Sequence, residues 1–166
     1  MNAAGAADGD VIVVGIDGSI SGRAALRWAA GEAARGGRRV RAVRVWDPAP
    51  LFAPPAPVFE VRATVRAEEQ AGLEDDLVAT PLTEGVTVEG ELLEGDVVDT
   101  LVAVSRDAAM LVVGSHGRHR VLGRVVLGSV STACTRRAAC PVVVVTPPLV
   151  TRLIAETGGR AARRTP

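Results

Sequence analysis

The hydrophobic positions of this chain fall into two alternating kinds of segment. Short runs dominated by valine are typical of parallel strands that are buried on both faces. Between them lie longer segments whose apolar residues recur every three or four positions, as in helices with one buried face. The pattern predicts strands at 10–16, 38–46, 85–93, 109–113 and 142–145. It predicts a first helix that ends near residue 35 and three further helices at 61–77, 96–106 and 129–137.

This regular alternation of strands and helices predicts an α/β fold built on a doubly wound parallel sheet of five strands. Ligands bind such sheets beyond the carboxyl ends of the strands, near the point where the strand order reverses. Three segments follow predicted strands and are therefore candidate ligand sites: Gly15–Asp17, Val45–Trp46 and Gly114–Ser131.

The length of 166 residues is sufficient for one domain with a substantial core. We place that domain at 9–147 and expect flexible flanks at 1–8 and 148–166. Within the second flank, four apolar residues after Pro147 are compatible with a short helix, and disorder is expected past Glu156. The segment 47–57 holds five prolines, which predicts a surface loop.

The composition of the chain limits the classes of function that it can have. The formal net charge is zero, which argues against a nucleic-acid or membrane surface, and no apolar run is long enough to span a bilayer. The first ten residues do not resemble a signal peptide, so we expect a cytoplasmic protein with reduced thiols at Cys134 and Cys140, both buried as small apolar groups. The spacing of cysteine and histidine fits no metal site.

The loop that follows the fourth predicted strand has the features of an anion site. Glycines at 114, 117, 123 and 128 let backbone N–H groups turn inward, and a helix begins directly afterwards. The amino terminus of a helix carries about half a positive charge. Ser129 at this point either caps the helix or donates its hydroxyl to a phosphate oxygen.

The turn after the first strand has the opposite character. A phosphate loop of the G-x-x-x-x-G-K-[ST] type needs a lysine, and the chain has none. A dinucleotide fingerprint needs glycines where Asp17 stands, and that carboxylate repels phosphate. We therefore expect Asp17 to accept hydrogen bonds from a ribose hydroxyl or an adenine amine; the alternative is a cap on the first helix.

These motifs together resemble the universal stress protein family over nearly all of residues 9–146. The nucleotide-binding members have a G-2x-G-9x-G-[S/T] loop, to which Gly114, Gly117, Gly128 and Ser129 correspond. The resemblance also covers the VVGIDGS segment around Asp17, the end of the second strand, and the CPVVV segment that contains the last strand.

The resemblance implies a flavodoxin-like (Rossmann-like) sheet in the order 3-2-1-4-5 and a homodimer paired through the last strand, 142–146. It also implies an adenine nucleotide, ATP with magnesium or alternatively AMP or cyclic AMP. The implied binding residues are Gly15, Asp17, Val45, Gly114, His116, Gly117, Arg118, Gly128, Ser129, Val130 and Ser131.

One departure from the family motif bears on binding. Ten residues separate Gly117 from Gly128, where the motif has nine. We expect the extra residue to bulge within the exposed loop; the alternative is that it displaces Ser129, since one residue spans up to ~3.5 Å.

Other side chains near the loop allow two interpretations each. His116 is either solvated or a base, and the basic residues from Arg118 to Arg124 either meet the phosphates or form a solvated surface. Trp46 either covers the adenine or closes the edge of the core.

The leading functional hypothesis is a small regulatory stress-response protein that binds an adenine nucleotide and signals to a protein partner that the sequence does not identify. The alternative is a nucleotide-independent interaction module of the same fold. No residue is placed to activate water, so we expect no catalytic residue and at most slow ATP hydrolysis.

Overall fold

The computed structural model describes residues 8–48, 58–115 and 127–161, and its centre is a five-stranded parallel sheet. The strand order is β3-β2-β1-β4-β5, which confirms the predicted fold class and order. After a short 3-10 turn at Asp8–Asp10, the elements are β1 (Val11–Gly15), α1 (Ile20–Gly36), β2 (Arg39–Trp46), α2 (Val58–Ala79), β3 (Val88–Glu94), α3 (Val97–Val104), β4 (Met110–Gly114), α4 (Ser129–Arg137), β5 (Val142–Val145) and α5 (Pro147–Ala161).

The strand order reverses between β1 and β4. The chain moves outward from β1 to β2 and β3, returns across the sheet, and continues with β4 and β5 on the other side. Right-handed crossovers therefore place α1 and α2 on one face and α3 and α4 on the other. The carboxyl ends of β1 and β4, which are paired neighbours, form the switch point.

The core consists of two apolar layers, because successive side chains of a strand point to opposite faces. Ile12 and Val14 of β1 pack with α1, whereas Val13 packs with Leu101 of α3. Alanines such as Ala25 and Ala29 dominate the buried face of α1, which lets the helix lie close to the sheet.

Predicted element ends differ from the observed ones by three residues at two places and by at most two residues elsewhere. Helix α2 begins at Val58, three residues before the predicted start, whereas β3 begins at Val88 rather than Gly85. Gly85 has φ +79°, a left-handed conformation that forms a turn and not a strand. The predicted proline-rich loop lies largely outside the described residues, which resume at residue 58.

The C-terminal segment is more ordered than expected. Helix α5 runs from Pro147 to Ala161, so the backbone past Glu156 is helical and not disordered. Leu149, Val150 and Leu153 pack against the layer beneath α1, because their spacing puts them on one face of α5. The Arg27 guanidinium of α1 also donates to the carbonyl of Leu153, which ties the two helices together.

The two cysteines differ in their surroundings. Cys134 is fully buried in the layer beneath α3 and α4, and burial raises the pKa of its thiol. Cys140 is only half-buried, which corrects the expectation that both would be enclosed. Among the described residues, no helix combines the length and the apolar character needed to span a membrane.

Candidate functional site

The two turns that the sequence predicted as one site begin side by side. Gly15, the last residue of β1, pairs with Val113 of β4, so the Asp17 turn and the 114–128 loop leave the sheet at adjacent strand ends. At this point β4 also approaches the first turn of α1. A Cβ added to Gly114 would lie 2.5 Å from Oγ and 3.0 Å from the carbonyl carbon of Ser21. Glycine at 114 is therefore required for this close packing.

The Asp17 turn is built by a carboxylate and a hydroxyl. The Oδ1 atom of Asp17 accepts a hydrogen bond from the N–H of Ser19 at 3.1 Å. The Ser19 hydroxyl accepts from the N–H of Gly22 at 2.9 Å, which makes Ser19 the N-cap of α1. Asp17 therefore orders the turn, while the capping role considered for it belongs to Ser19.

The two ends of the glycine-rich loop are joined directly. The N–H of Gly128 donates to the carbonyl of Ser115 at 2.7 Å, and the N–H of Ser115 donates to the carbonyl of Val145. Ser131 is only 2% exposed, and its hydroxyl donates inward to the carbonyl of Gly128 at 3.0 Å. The start of α4 is thus fixed to the sheet by bonds that do not depend on the number of intervening residues.

The amino terminus of α4 has the features of an anion site. Gly128 is the N-cap and supplies no side-chain hydrogen bond, so Ser129 is the first helical residue and not the cap. Ser129 is exposed, whereas Val130 is half-buried against the core. The N–H groups of a first helical turn have no intrahelical acceptors, and they carry the positive end of the helix dipole.

Some of the remaining candidate residues contribute to packing, and the others lie outside the part of the chain that the structure describes. A Cβ on Gly15 would lie 3.0 Å from Leu101, so this glycine makes room for α3. The Val45 side chain packs within the apolar layer beneath α3. Three candidate ligands, His116, Gly117 and Arg118, lie outside the described residues, as do the other basic residues of the loop.

Trp46 closes the edge of the core. Its position in β2 puts the ring on the face opposite to that of Val45, where it is 5% exposed. The guanidinium carbon of Arg62 in α2 lies 5.9 Å from the centre of the ring, and Arg62 also pairs with Glu94. The structure therefore favours the packing interpretation of Trp46 over contact with a base.

Sequence reasoning missed a group of charged residues behind the Asp17 turn. Arg44 of β2 is 5% exposed and lies 2.6 Å from Glu69 and 3.2 Å from Asp76, both of α2. Asp76 is also buried and lies 3.2 Å from Arg23 of α1. The only signal in the sequence was the placement of Arg44 on the face that carries Val40 and Ala42.

A second concave region lies at the opposite end of the sheet. It is a pocket of about 670 Å³ near the amino ends of β1, β2 and β3 and the last turn of α3. Its arginines are paired, Arg41 with Glu91 at 2.5 Å and Arg39 with Glu89 at 3.6 Å. The hydrogen bond to Glu91 raises the pKa of Arg41. These cations are engaged, so this pocket is a weaker candidate for an anion than the carboxyl edge.

Comparisons with known proteins agree with this geometry. The model of the universal stress protein family matches residues 10–146. A universal stress protein of Mycobacterium tuberculosis strain H37Rv is 35% identical over 139 residues, which cover 81% of this chain and 47% of the relative. The chain thus spans about half the length of the curated relatives it matches.

Solved structures show the same similarity. A protein of the universal stress protein family from Burkholderia pseudomallei is 27% identical with a TM-score of 0.62, covering 84% of this chain and 97% of that one. A universal stress protein crystallised in complex with cAMP is 28% identical with a TM-score of 0.51, covering 81% and 94%. From the matched family model, the identity and the shared fold, this chain belongs to the universal stress protein family.

Proposed function

We propose that this chain is a regulatory protein that binds an adenine nucleotide, with ATP as the leading ligand. The base and ribose would lie at the Asp17 turn, and the phosphates would lie at the amino terminus of α4. The observation that carries the proposal is the bond from Gly128 to Ser115, which fixes the start of α4 beside the end of β1. A carboxylate and a helix amino terminus are thereby presented at neighbouring strand ends.

The bond between Ser115 and Gly128 also bears on the ten-residue spacing. Because the loop ends meet at 2.7 Å, an additional residue between them can be accommodated without displacing Ser129. The complex of a related protein with cAMP supports the adenine nucleotide as the class of ligand. Cyclic AMP and AMP are therefore the comparison ligands for ATP, and magnesium belongs in the assay because it is the usual counterion of ATP phosphates.

Replacing Ser129 with aspartate tests the phosphate position. An acidic residue in the first turn favours the helix dipole, so folding should be unimpaired. At an effective dielectric of about 20, two unit charges ~5 Å apart repel by about 3 kcal/mol, so ATP affinity should fall on the order of 100-fold. Isothermal calorimetry with magnesium present measures this change.

The matched control is Ser129→Asn, which has nearly the same shape without the charge and should retain most of the affinity. Adenosine, which has no phosphate, should bind the aspartate variant as well as it binds the unmodified chain. Equal ATP affinity in Ser129→Asp and the unmodified chain would place the phosphates elsewhere. Absence of ATP binding by the unmodified chain would favour the nucleotide-independent interaction module.

The proposed regulatory step can also be tested by adding ATP to the protein. If nucleotide binding changes a surface that a partner recognises, hydrogen exchange of residues 129–131 should slow when ATP is added, because a phosphate at the start of α4 would accept hydrogen bonds from their N–H groups. Unchanged exchange at saturating ATP would contradict the proposed regulation, even if calorimetry shows that ATP binds.

We also propose a homodimer formed through β5. This strand is the last in the sheet, so along one side it has no neighbouring strand among the residues described. Three of its four valines are half-buried rather than buried, and exposed strand edges of this kind favour association. Sedimentation velocity over a range of micromolar concentrations should show a dimer; a monomer throughout that range would contradict the proposal.

A further inference from the structure

The peptide unit that joins Gly18 to Ser19 is held on both of its polar sides. Its N–H, from Ser19, donates to the Asp17 carboxylate at 3.1 Å. Its carbonyl, from Gly18, accepts from Nη1 of Arg23 at 3.1 Å. Gly18 has φ +81°, a conformation that depends on this local geometry. Rotation of this peptide would therefore break the hydrogen bond from Arg23 to the Gly18 carbonyl. The same rotation would move the Ser19 N–H away from the Asp17 carboxylate.

Arg23 is in turn anchored by a buried carboxylate. Its Nη1 lies 3.2 Å from Oδ1 of Asp76, and Oδ2 of Asp76 accepts from Arg44 at 3.2 Å. Gly72 leaves the space that the Arg44 guanidinium occupies, since a Cβ there would lie 2.9 Å from Nη2. Because Asp76 and Arg44 are enclosed by β2 and α2, their positions are set by the packing of the fold.

We infer that Arg23 is a positioning residue for Asp17, and that Asp76 anchors it from α2. Arg23 holds the carbonyl of the Gly18–Ser19 peptide, the peptide presents its N–H to Asp17, and Asp17 is thereby oriented toward the ligand. The inference rests on the proposed binding of an adenine nucleotide at Asp17. It extends that proposal by linking α2, an element outside the two turns, to the geometry of the site.

A double-mutant cycle of Arg23→Met and Asp17→Ala tests this role. Methionine keeps the apolar stem of Arg23, which is partly exposed, and removes its donors. If Arg23 acts through Asp17, Arg23→Met should lower ATP affinity roughly tenfold, the effect of one well-placed hydrogen bond. In the Asp17→Ala background, the same change should alter affinity less than about twofold.

A direct or nonspecific role would give a different result. If Arg23 itself contacts the phosphates, the loss on Arg23→Met would be the same with Asp17 present or absent, and the inference would be overturned. Arg27→Met is the matched control, since Arg27 lies one turn later on α1 and donates to a main-chain carbonyl of α5. It should leave ATP affinity unchanged.

The ligand-free protein supplies a second readout. In Arg23→Met, the amide resonance of Ser19 should shift and its hydrogen exchange should accelerate, whereas Arg27→Met should leave both unchanged. An unperturbed Ser19 amide in Arg23→Met would overturn the positioning role even if nucleotide binds. A perturbed Ser19 amide in a chain that binds no nucleotide would overturn the proposed function and the role in binding, while the contact between Arg23 and the turn would stand.

Discussion

Replacing Asp76 with alanine is expected to lower the free energy of unfolding by about 3–5 kcal/mol, the usual cost of removing one partner from a buried ion pair. Asp76 is 3% exposed and accepts hydrogen bonds from both Arg23 and Arg44. Without Asp76, the buried guanidinium of Arg44 still pairs with Glu69 but loses the other of these two carboxylate partners. Urea denaturation of the two chains measures the difference.

The matched control for this change is Asp75→Ala, the same substitution one residue earlier on α2. Asp75 is exposed, so its loss should alter the stability by no more than about 0.5 kcal/mol. A loss below about 1 kcal/mol in Asp76→Ala would show that Glu69 and solvent compensate Arg44, and that the network contributes little to folding.

Replacing Gly114 with alanine should destabilise the protein by about 1–3 kcal/mol, the usual cost of inserting a methyl group into a packed region. The added Cβ would lie 2.5 Å from the Oγ and 2.9 Å from the Cβ of Ser21. It would also lie 3.0 Å from the Ser21 carbonyl carbon, which cannot move unless α1 moves. Displacement of α1 would separate the Asp17 turn from the loop, so nucleotide affinity should fall as well.

Two further variants isolate the cause. Gly31→Ala, in the middle of α1, meets no atom within 4 Å and should stabilise the protein by about 0.5–1 kcal/mol through helix propensity. The double variant Gly114→Ala/Ser21→Gly should be more stable than the sum of the single changes predicts, because the two contacts with the Ser21 side chain are removed and only the contact with its carbonyl carbon remains. Strict additivity of these two changes in thermal or urea unfolding would exclude the contact with the Ser21 side chain as the cause.

The packing of Gly114 affects how mutations of the glycine motif are interpreted. From the sequence, this glycine lies where a backbone approaches phosphate, and its loss would be taken as evidence for the ligand. The structure shows that it is needed where β4 meets α1, with or without a ligand. Ser129, exposed at the start of α4, separates binding from folding more cleanly.

Much of the candidate site could be predicted from the sequence, because its parts are local. Asp17 lies three residues after the valine-rich run that ends at Val14, and Gly128 and Ser129 stand at the start of a helical pattern. Parallel strands align their carboxyl ends, so the strand order places these two segments at neighbouring strand ends on the same edge of the sheet. The inward direction of the Ser131 hydroxyl was not predictable, since it depends on which carbonyls the folded loop brings near.

The extent of α5 and the exposure of Cys140, both of which the sequence missed, share one cause. Helix α5 reaches Ala161 because Leu149, Val150 and Leu153 find an apolar surface beneath α1, and a short amphipathic segment is not stable as a helix without such a surface. The half-buried state of Cys140 likewise depends on what packs beside β5. In both cases the local pattern permitted the result but did not decide it.

The sequence by itself determined the succession of strands and helices, the class of fold and the two turns of the candidate site. These features arise from periodicity and turn chemistry within a few residues of one another. Only the tertiary structure decided that Arg44 pairs with Asp76, that Asp76 holds Arg23, and that Gly114 lies against Ser21. Such pairs lie far apart in the chain, and their distances depend on how each helix is placed against the sheet, which is a property of the whole packed fold.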